Sequence, residues 1–282
     1  MKILKCKKPL KLRNSGKLEF VFIGTGTALG RKLYQNNCII IKGNTHILVD
    51  FGMTGPVALK KLAGLDVTEI NNILITHSHS DHIGGLEYLA LSKRYYVNSN
   101  QNNSKLKIIT TPEYRDILWD MSLRGGLEWN ESNKSGKPLT YADYFETIYP
   151  KVISKKPRLI LGIDFQDIHI EMFRTLHIPD NAVTLAEAFL TFGIFVDNRI
   201  MFSADTKFDK ELFDLYADRS EVMFHDASLQ PNPVHASIQQ LRTLPKKFKE
   251  KMYLMHYGDD YTKHDVSDFA GFTRQGYRYI FD

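Results

Sequence analysis

The chain has 282 residues, 43% hydrophobic and 24% charged, with a formal net charge of +5. Its two cysteines, Cys6 and Cys38, supply no disulfide framework and point to a reducing, cytoplasmic setting. No run of about 18 apolar residues occurs, and no apolar segment follows the basic start, so neither a membrane span nor a signal peptide is expected. That much apolar material can bury the core of a single domain spanning residues 1–282. The positive charge, concentrated in residues 2–13 and 246–251, gives a mild preference for anionic partners.

Apolar runs predict strands at residues 18–23, 38–42 and 46–50, followed by a helix over 56–63 and a strand over 72–76. The glycine turn from Gly24 to Gly30 follows the first strand but leads into another strand, with no acidic residue placed for a ribose. A dinucleotide-binding turn would open a helix, so this one is read as backbone needing unusual φ/ψ. Directly after the strand at 72–76 stands His77-Ser78-His79-Ser80-Asp81-His82. Four ligand-type side chains packed this tightly can serve two metal ions; zinc takes both imidazole nitrogen and carboxylate oxygen. A helix opens at residues 83–86 and a strand follows at 107–110.

Residues 124–157 mix Gly, Asn, Ser, Lys and aromatics without clear period, and read as an insertion or flap carrying a helix over 141–148. Further strands are predicted at 167–173, 188–196, 199–203 and 252–256. Three ligand-type residues each close a short apolar run: His177, Asp205 and His256. Presenting chemistry from loops at strand ends is how an α/β scaffold works.

The ordered series H-x-H-x-D-H, His, Asp, His resembles the metallo-β-lactamase fold superfamily of binuclear metallohydrolases over residues 18–257. The resemblance implies an α/β fold of the αββα sandwich type and two divalent metal ions per chain, zinc first and manganese as the alternative. It implies that His77, His79 and His177 hold one ion, that Asp81, His82 and His256 hold the other, and that Asp205 bridges them. Asp50, at the end of its strand, would brace the ligand turn by hydrogen bonds. A degenerate, non-catalytic binding module would have lost ligands, and all seven are present.

Two further segments narrow the branch. Phe224-His225-Asp226-Ala227-Ser228 and Val234-His235-Ala236-Ser237 are similar to the His-acid-Ala-Thr and His-Ser-Thr motifs of ribonuclease Z-like phosphodiesterases, which also open with a Gly-Thr-Gly turn. The match departs in detail, with Asp226 where that branch has Glu and Ala236 where it has Ser. By the resemblance, Asp226 and His235 handle the leaving group, because an alkoxide departs at high cost unless protonated. Asp81 would also orient or deprotonate the water activated by the two metals.

Ribonuclease Z projects a long RNA-gripping arm between its isolated His and its bridging Asp. Here His177 and Asp205 are 28 positions apart, too few for such an arm, while 95 positions separate His82 from His177. Without that arm a folded RNA loses most phosphate contacts. The layout is similar to the arm-less cyclic-nucleotide phosphodiesterases of anti-Pycsar type. The expected function is therefore hydrolysis of small phosphodiesters, cyclic mononucleotides above all, by a homodimer. The alternatives are a tRNA 3′-end endonuclease of ribonuclease Z type and another hydrolase of the same fold, such as a thioesterase or lactonase.

Overall fold

In the computed structural model, which describes residues 1–97 and 105–282, the chain divides into two units. The first comprises residues 1–24, 37–150 and 276–282, and the second residues 25–36 and 151–275. Each carries one eight-stranded mixed sheet. No described helix is long and apolar enough to cross a membrane.

The first sheet is built from β1 (Lys2–Lys5), β2 (Leu18–Phe22), β3 (Cys38–Lys42), β4 (Thr45–Val49), β5 (Asn72–Leu74), β6 (Leu106–Ile109), β7 (Phe145–Ile148) and β16 (Tyr277–Phe281). Their order is β1-β16-β2-β3-β4-β5-β6-β7. Every residue of β2, β4 and β5 is buried, which explains why their apolar residues do not alternate with exposed polar ones. From β4 onward the strands run parallel: Leu48 pairs with Ile73, and Leu74 with Ile109. Asp50 and the His77–His82 turn therefore leave the sheet at the carboxyl ends of adjacent strands, the end where α/β sheets place ligands.

The second sheet comprises β8 (Lys151–Ser154), β9 (Ile160–Phe165), β10 (Ile168–Arg174), β11 (Phe192–Val196), β12 (Ile200–Phe202), β13 (Val222–Asp226), β14 (Met252–Met255) and β15 (Gly271–Phe272), in sequence order across the sheet. Antiparallel pairing joins β8 through β12, and parallel pairing joins β12 through β15. The β11–β12 hairpin, with Val196 paired to Ile200, turns on Asp197 (φ 51°) and Asn198 (φ 57°), residue types that tolerate the left-handed region. Its core gathers Phe173, Phe195, Met201, Phe213, Tyr216 and Leu254. Gly193 makes room for it: a Cβ there would lie 2.4 Å from the Phe173 ring.

Two predicted elements differ from the observed ones. Residues 141–148 are a helix only over Tyr141–Tyr144; Phe145–Ile148 is the edge strand β7, paired in parallel with Leu106–Ile109. The β-branched Thr147 and Ile148 suit that pairing better than a continued helix. The strand predicted from residue 188 begins only at Phe192, because the Arg174 guanidinium takes the carbonyls of Leu185, Ala188 and Phe189 and holds them in a loop. The stretch 124–157 supplies β7 to one sheet edge and β8 to the other.

Candidate metal centre

In the first unit the ligand turn is held from below by one carboxylate. Asp50 sits at φ 59°, a backbone that Asp and Asn tolerate better than most residues. Its Oδ1 accepts the Thr76 N–H (2.8 Å), while its Oδ2 accepts the Thr76 hydroxyl (2.6 Å) and faces His82 Nδ1 at 2.7 Å. Burial pushes the Asp50 carboxyl above its ordinary value, against the opposing pull of His82 and Thr76. With Nδ1–H directed at Asp50, the His82 tautomer presents Nε2 as a lone-pair donor, and that atom lies 3.3 Å from Asp81 Oδ2.

His77 directs Nδ1 toward the Thr76 hydroxyl (3.1 Å) and Nε2 toward His79 Nδ1 (3.0 Å). His77, Asp81 and His82 are buried, whereas His79 is exposed. The short helix Ser80–Ile83 explains the spacing, since one turn brings Asp81 and His82 back over the strand end. The Gly84-Gly85 pair that follows has no room for side chains: a Cβ would lie 2.4 Å from Ser80 O at Gly84 and 2.7 Å from Gly52 O at Gly85.

In the second unit Asp205, Asp226 and His256 stand at the carboxyl ends of the neighbouring parallel strands β12, β13 and β14. His177 follows β10. Ala204 (φ 49°) and His256 (φ 57°) both occupy the left-handed region, local strain of the kind that clusters at functional sites. Asp205 Oδ2 lies 3.8 Å from His177 Nε2 and 3.6 Å from His256 Nε2. His177 faces the Val234 carbonyl through Nδ1 at 2.8 Å, which fixes Nε2 as its outward donor. Burial keeps His177 below the ordinary histidine value in spite of the Asp205 charge.

Asp226, fully buried, pairs with the partly buried His235. Asp226 Oδ2 faces His235 Nδ1 at 2.7 Å and accepts the Thr206 N–H at 2.9 Å. Burial alone would lower the His235 pKa, but the Asp226 charge and hydrogen bond, with Asp205, carry it above the ordinary value. Asp226 moves the other way: burial would raise it, and His235 by charge and hydrogen bond holds it down. The neighbouring His225 takes no part; its Nδ1 faces the Asp226 carbonyl (2.7 Å) and its ring stacks on Phe213.

The donors fit a divalent ion. In the second unit the Asp205 carboxylate lies 3.6–3.8 Å from the Nε2 atoms of His256 and His177. In the first, imidazole nitrogens and a carboxylate crowd at 3.0–3.3 Å, the mixed N/O set that zinc and manganese accept. Sequence reasoning missed Asn37, which accepts the Gly52 N–H through Oδ1 and donates from Nδ2 to Asp81 O. It also missed Thr76, Thr206 and the Val234 carbonyl. All act largely through backbone groups, so only Thr76, abutting the ligand turn, was open to suspicion from the sequence.

Two mixed sheets with histidine and aspartate at the carboxyl ends of their strands place the protein in the metallo-β-lactamase fold class. The solved structure of the metallo-β-lactamase fold protein YhfI from Bacillus subtilis is similar over 94% of this chain and 99% of its own, with a TM-score of 0.66 at 13% identity. Human tRNase Z, short form, is similar over 86% and 93%, with a TM-score of 0.59 at 19% identity. The chain belongs to the anti-Pycsar protein Apyc1 family, whose model matches residues 18–279. The Apyc1 protein of Paenibacillus harenae is 33% identical over 239 residues, 84% of this chain and 88% of that one.

Proposed function

We infer that the protein is a metal-dependent phosphodiesterase that hydrolyses cyclic mononucleotides in the cytoplasm as a homodimer. Membership of the anti-Pycsar family supports the substrate class, and two buried free cysteines suit a reducing compartment. The observation that carries the chemistry is the 2.7 Å pairing of Asp226 with His235. We assign His77, His79 and His177 to one ion, Asp81, His82 and His256 to a second, and Asp205 to both, on the order of these residues in the chain. When bound, divalent ions supply Lewis acidity toward the phosphate and a more acidic water.

The chain's own groups do the rest. Asp226 accepts from His235 Nδ1–H and so leaves Nε2–H to be given to the departing sugar oxygen. The Asp226 charge raises the His235 pKa and so favours the protonated imidazole. Asp50 and Val234 O hold His82 and His177 in the tautomers that expose Nε2. Asp81 orients or deprotonates the attacking water.

The assay that decides is chromatography of 3′,5′-cyclic mononucleotides run beside gel analysis of precursor tRNA, both with metal-loaded protein. Opening of the cyclic nucleotide with tRNA left intact is the expected result. Cleavage of the tRNA 3′ end with cyclic nucleotides untouched would reverse the assignment to a ribonuclease Z-type endonuclease.

A further inference from the structure

His235 and His256 also line one end of a cavity of about 130 Å³ within the second unit. A general acid marks the leaving-group side of a phosphodiester, so whatever continues beyond the leaving oxygen must enter the space that the acid faces. In a 3′,5′-cyclic nucleotide that continuation is the ribose. The remaining walls come from Thr27, Ser228, Gln230, Asn232 and Asp260, with Leu229 and Gly258. No Phe, Tyr or Trp among the described residues lines it, and its volume is well below the roughly 300 Å³ at which pockets begin to enclose drug-sized ligands. It suits a hydroxyl-bearing sugar rather than a stacked base.

The polar walls differ in how far they are already committed. The Ser228 hydroxyl donates to Gln230 O (2.6 Å), and Asn232 Oδ1 accepts the Val234 and His235 N–H groups (2.9 and 3.1 Å). These bonds shape the turn that carries His235. Asp260 is the one carboxylate among the described residues lining the cavity other than the histidine end. His264 Nε2 lies 3.3 Å from its Oδ2. Gly258 sits beside its Oδ1, where a Cβ would come within 3.2 Å. The bare glycine leaves that oxygen approachable, and the adjacent Asp259 is occupied elsewhere, accepting the Arg31 and Lys32 N–H groups (2.7 and 3.0 Å).

We propose that this cavity is the ribose subsite and that Asp260 accepts a hydrogen bond from the substrate's 2′-hydroxyl, making it a specificity residue for ribonucleotides. The proposal rests on the cyclic-nucleotide reading above. In a 3′,5′-cyclic ribonucleotide the 3′ and 5′ oxygens are esterified, so the 2′-hydroxyl is the one sugar hydroxyl left to donate. A carboxylate acceptor offers nothing to a 2′-deoxy sugar and loses solvent on its approach.

The test compares kcat/KM for 3′,5′-cyclic AMP and its 2′-deoxy analogue in the metal-loaded native protein, Asp260→Asn and Asp260→Ala. Native protein should favour the ribonucleotide roughly ten-fold or more, the scale of a hydrogen bond to a charged group. That preference should vanish in Asp260→Ala through loss on the ribonucleotide alone, and shrink in Asp260→Asn. A native protein indifferent to the 2′-hydroxyl, or a preference that survives in Asp260→Ala, would overturn the subsite and leave the phosphodiesterase reading standing. Cleavage of bis(p-nitrophenyl) phosphate with neither cyclic nucleotide hydrolysed would overturn both the subsite and the cyclic-nucleotide reading.

Discussion

Asp226 Oδ2 stands 2.7 Å from His235 Nδ1 while also accepting the Thr206 N–H at 2.9 Å, so the imidazole is held by a carboxylate that is itself fixed to the backbone. This arrangement orients a proton rather than merely storing charge.

If His235 protonates the departing oxygen, His235→Ala should lower turnover about a hundred-fold on substrates with alkoxide leaving groups. The loss should shrink sharply on a p-nitrophenyl phosphodiester, whose leaving group departs unprotonated. Asp226→Asn should follow the same pattern more weakly. Steady-state rates on the two substrate types, with metal content measured alongside, decide it. Equal losses on both would place His235 in substrate binding, and loss of metal would make it a ligand.

Asp50 should act on metal affinity rather than on chemistry. Asp50→Asn keeps a side chain that tolerates the φ of 59° but withdraws the charge opposite His82 Nδ1. Metal affinity should fall about 10–100-fold, as for other partners of ligating histidines. Competition with a chelator measures it, and the maximal rate at saturating metal should change less than the affinity. An unchanged affinity would show that Asp50 only supports the backbone.

Away from the ligand turn, at the opposite end of β4, His46 predicts an acid-sensitive step. Burial, helped by Lys93, lowers its pKa from the ordinary 6.5 to about 4, and its Nε2 accepts the Asn71 N–H at 3.2 Å. The folded state therefore resists protonation that the unfolded chain accepts. His46 lowers no stability above pH 6.5, and stability falls as pH drops from 6.5 toward 4, by about 3 kcal/mol at most. Urea unfolding of metal-free protein at pH 7.5 and 5 should show this loss, and His46→Gln should flatten it. Equal acid slopes in the two proteins would contradict the assignment.

The ligand turn and the strand-end placement of His177, Asp205 and His256 were legible because each ligand closes an apolar run, and the pattern of burial follows directly from such runs. The edge of the first sheet was not. Tyr141-Ala142-Asp143-Tyr144 starts a helix, and nothing local signals that Phe145 will leave it to pair with Leu106. Likewise Ala188 and Phe189 look strand-like until Arg174, distant in sequence, captures their carbonyls. Asn37 was invisible for the same reason: it braces two loops through the Gly52 amide and the Asp81 carbonyl, partners that leave no mark in composition or period.

The proposed reaction depends on two divalent ions bound per chain. Elemental analysis of native and metal-loaded protein tests it most directly, with Asp205→Ala beside them. About two divalent ions per chain are expected in the loaded protein. Asp205→Ala should lose metal together with hydrolysis, because two cations without a shared carboxylate repel each other. A reproducible stoichiometry near zero after loading, or two ions retained with near-normal turnover in Asp205→Ala, would contradict it.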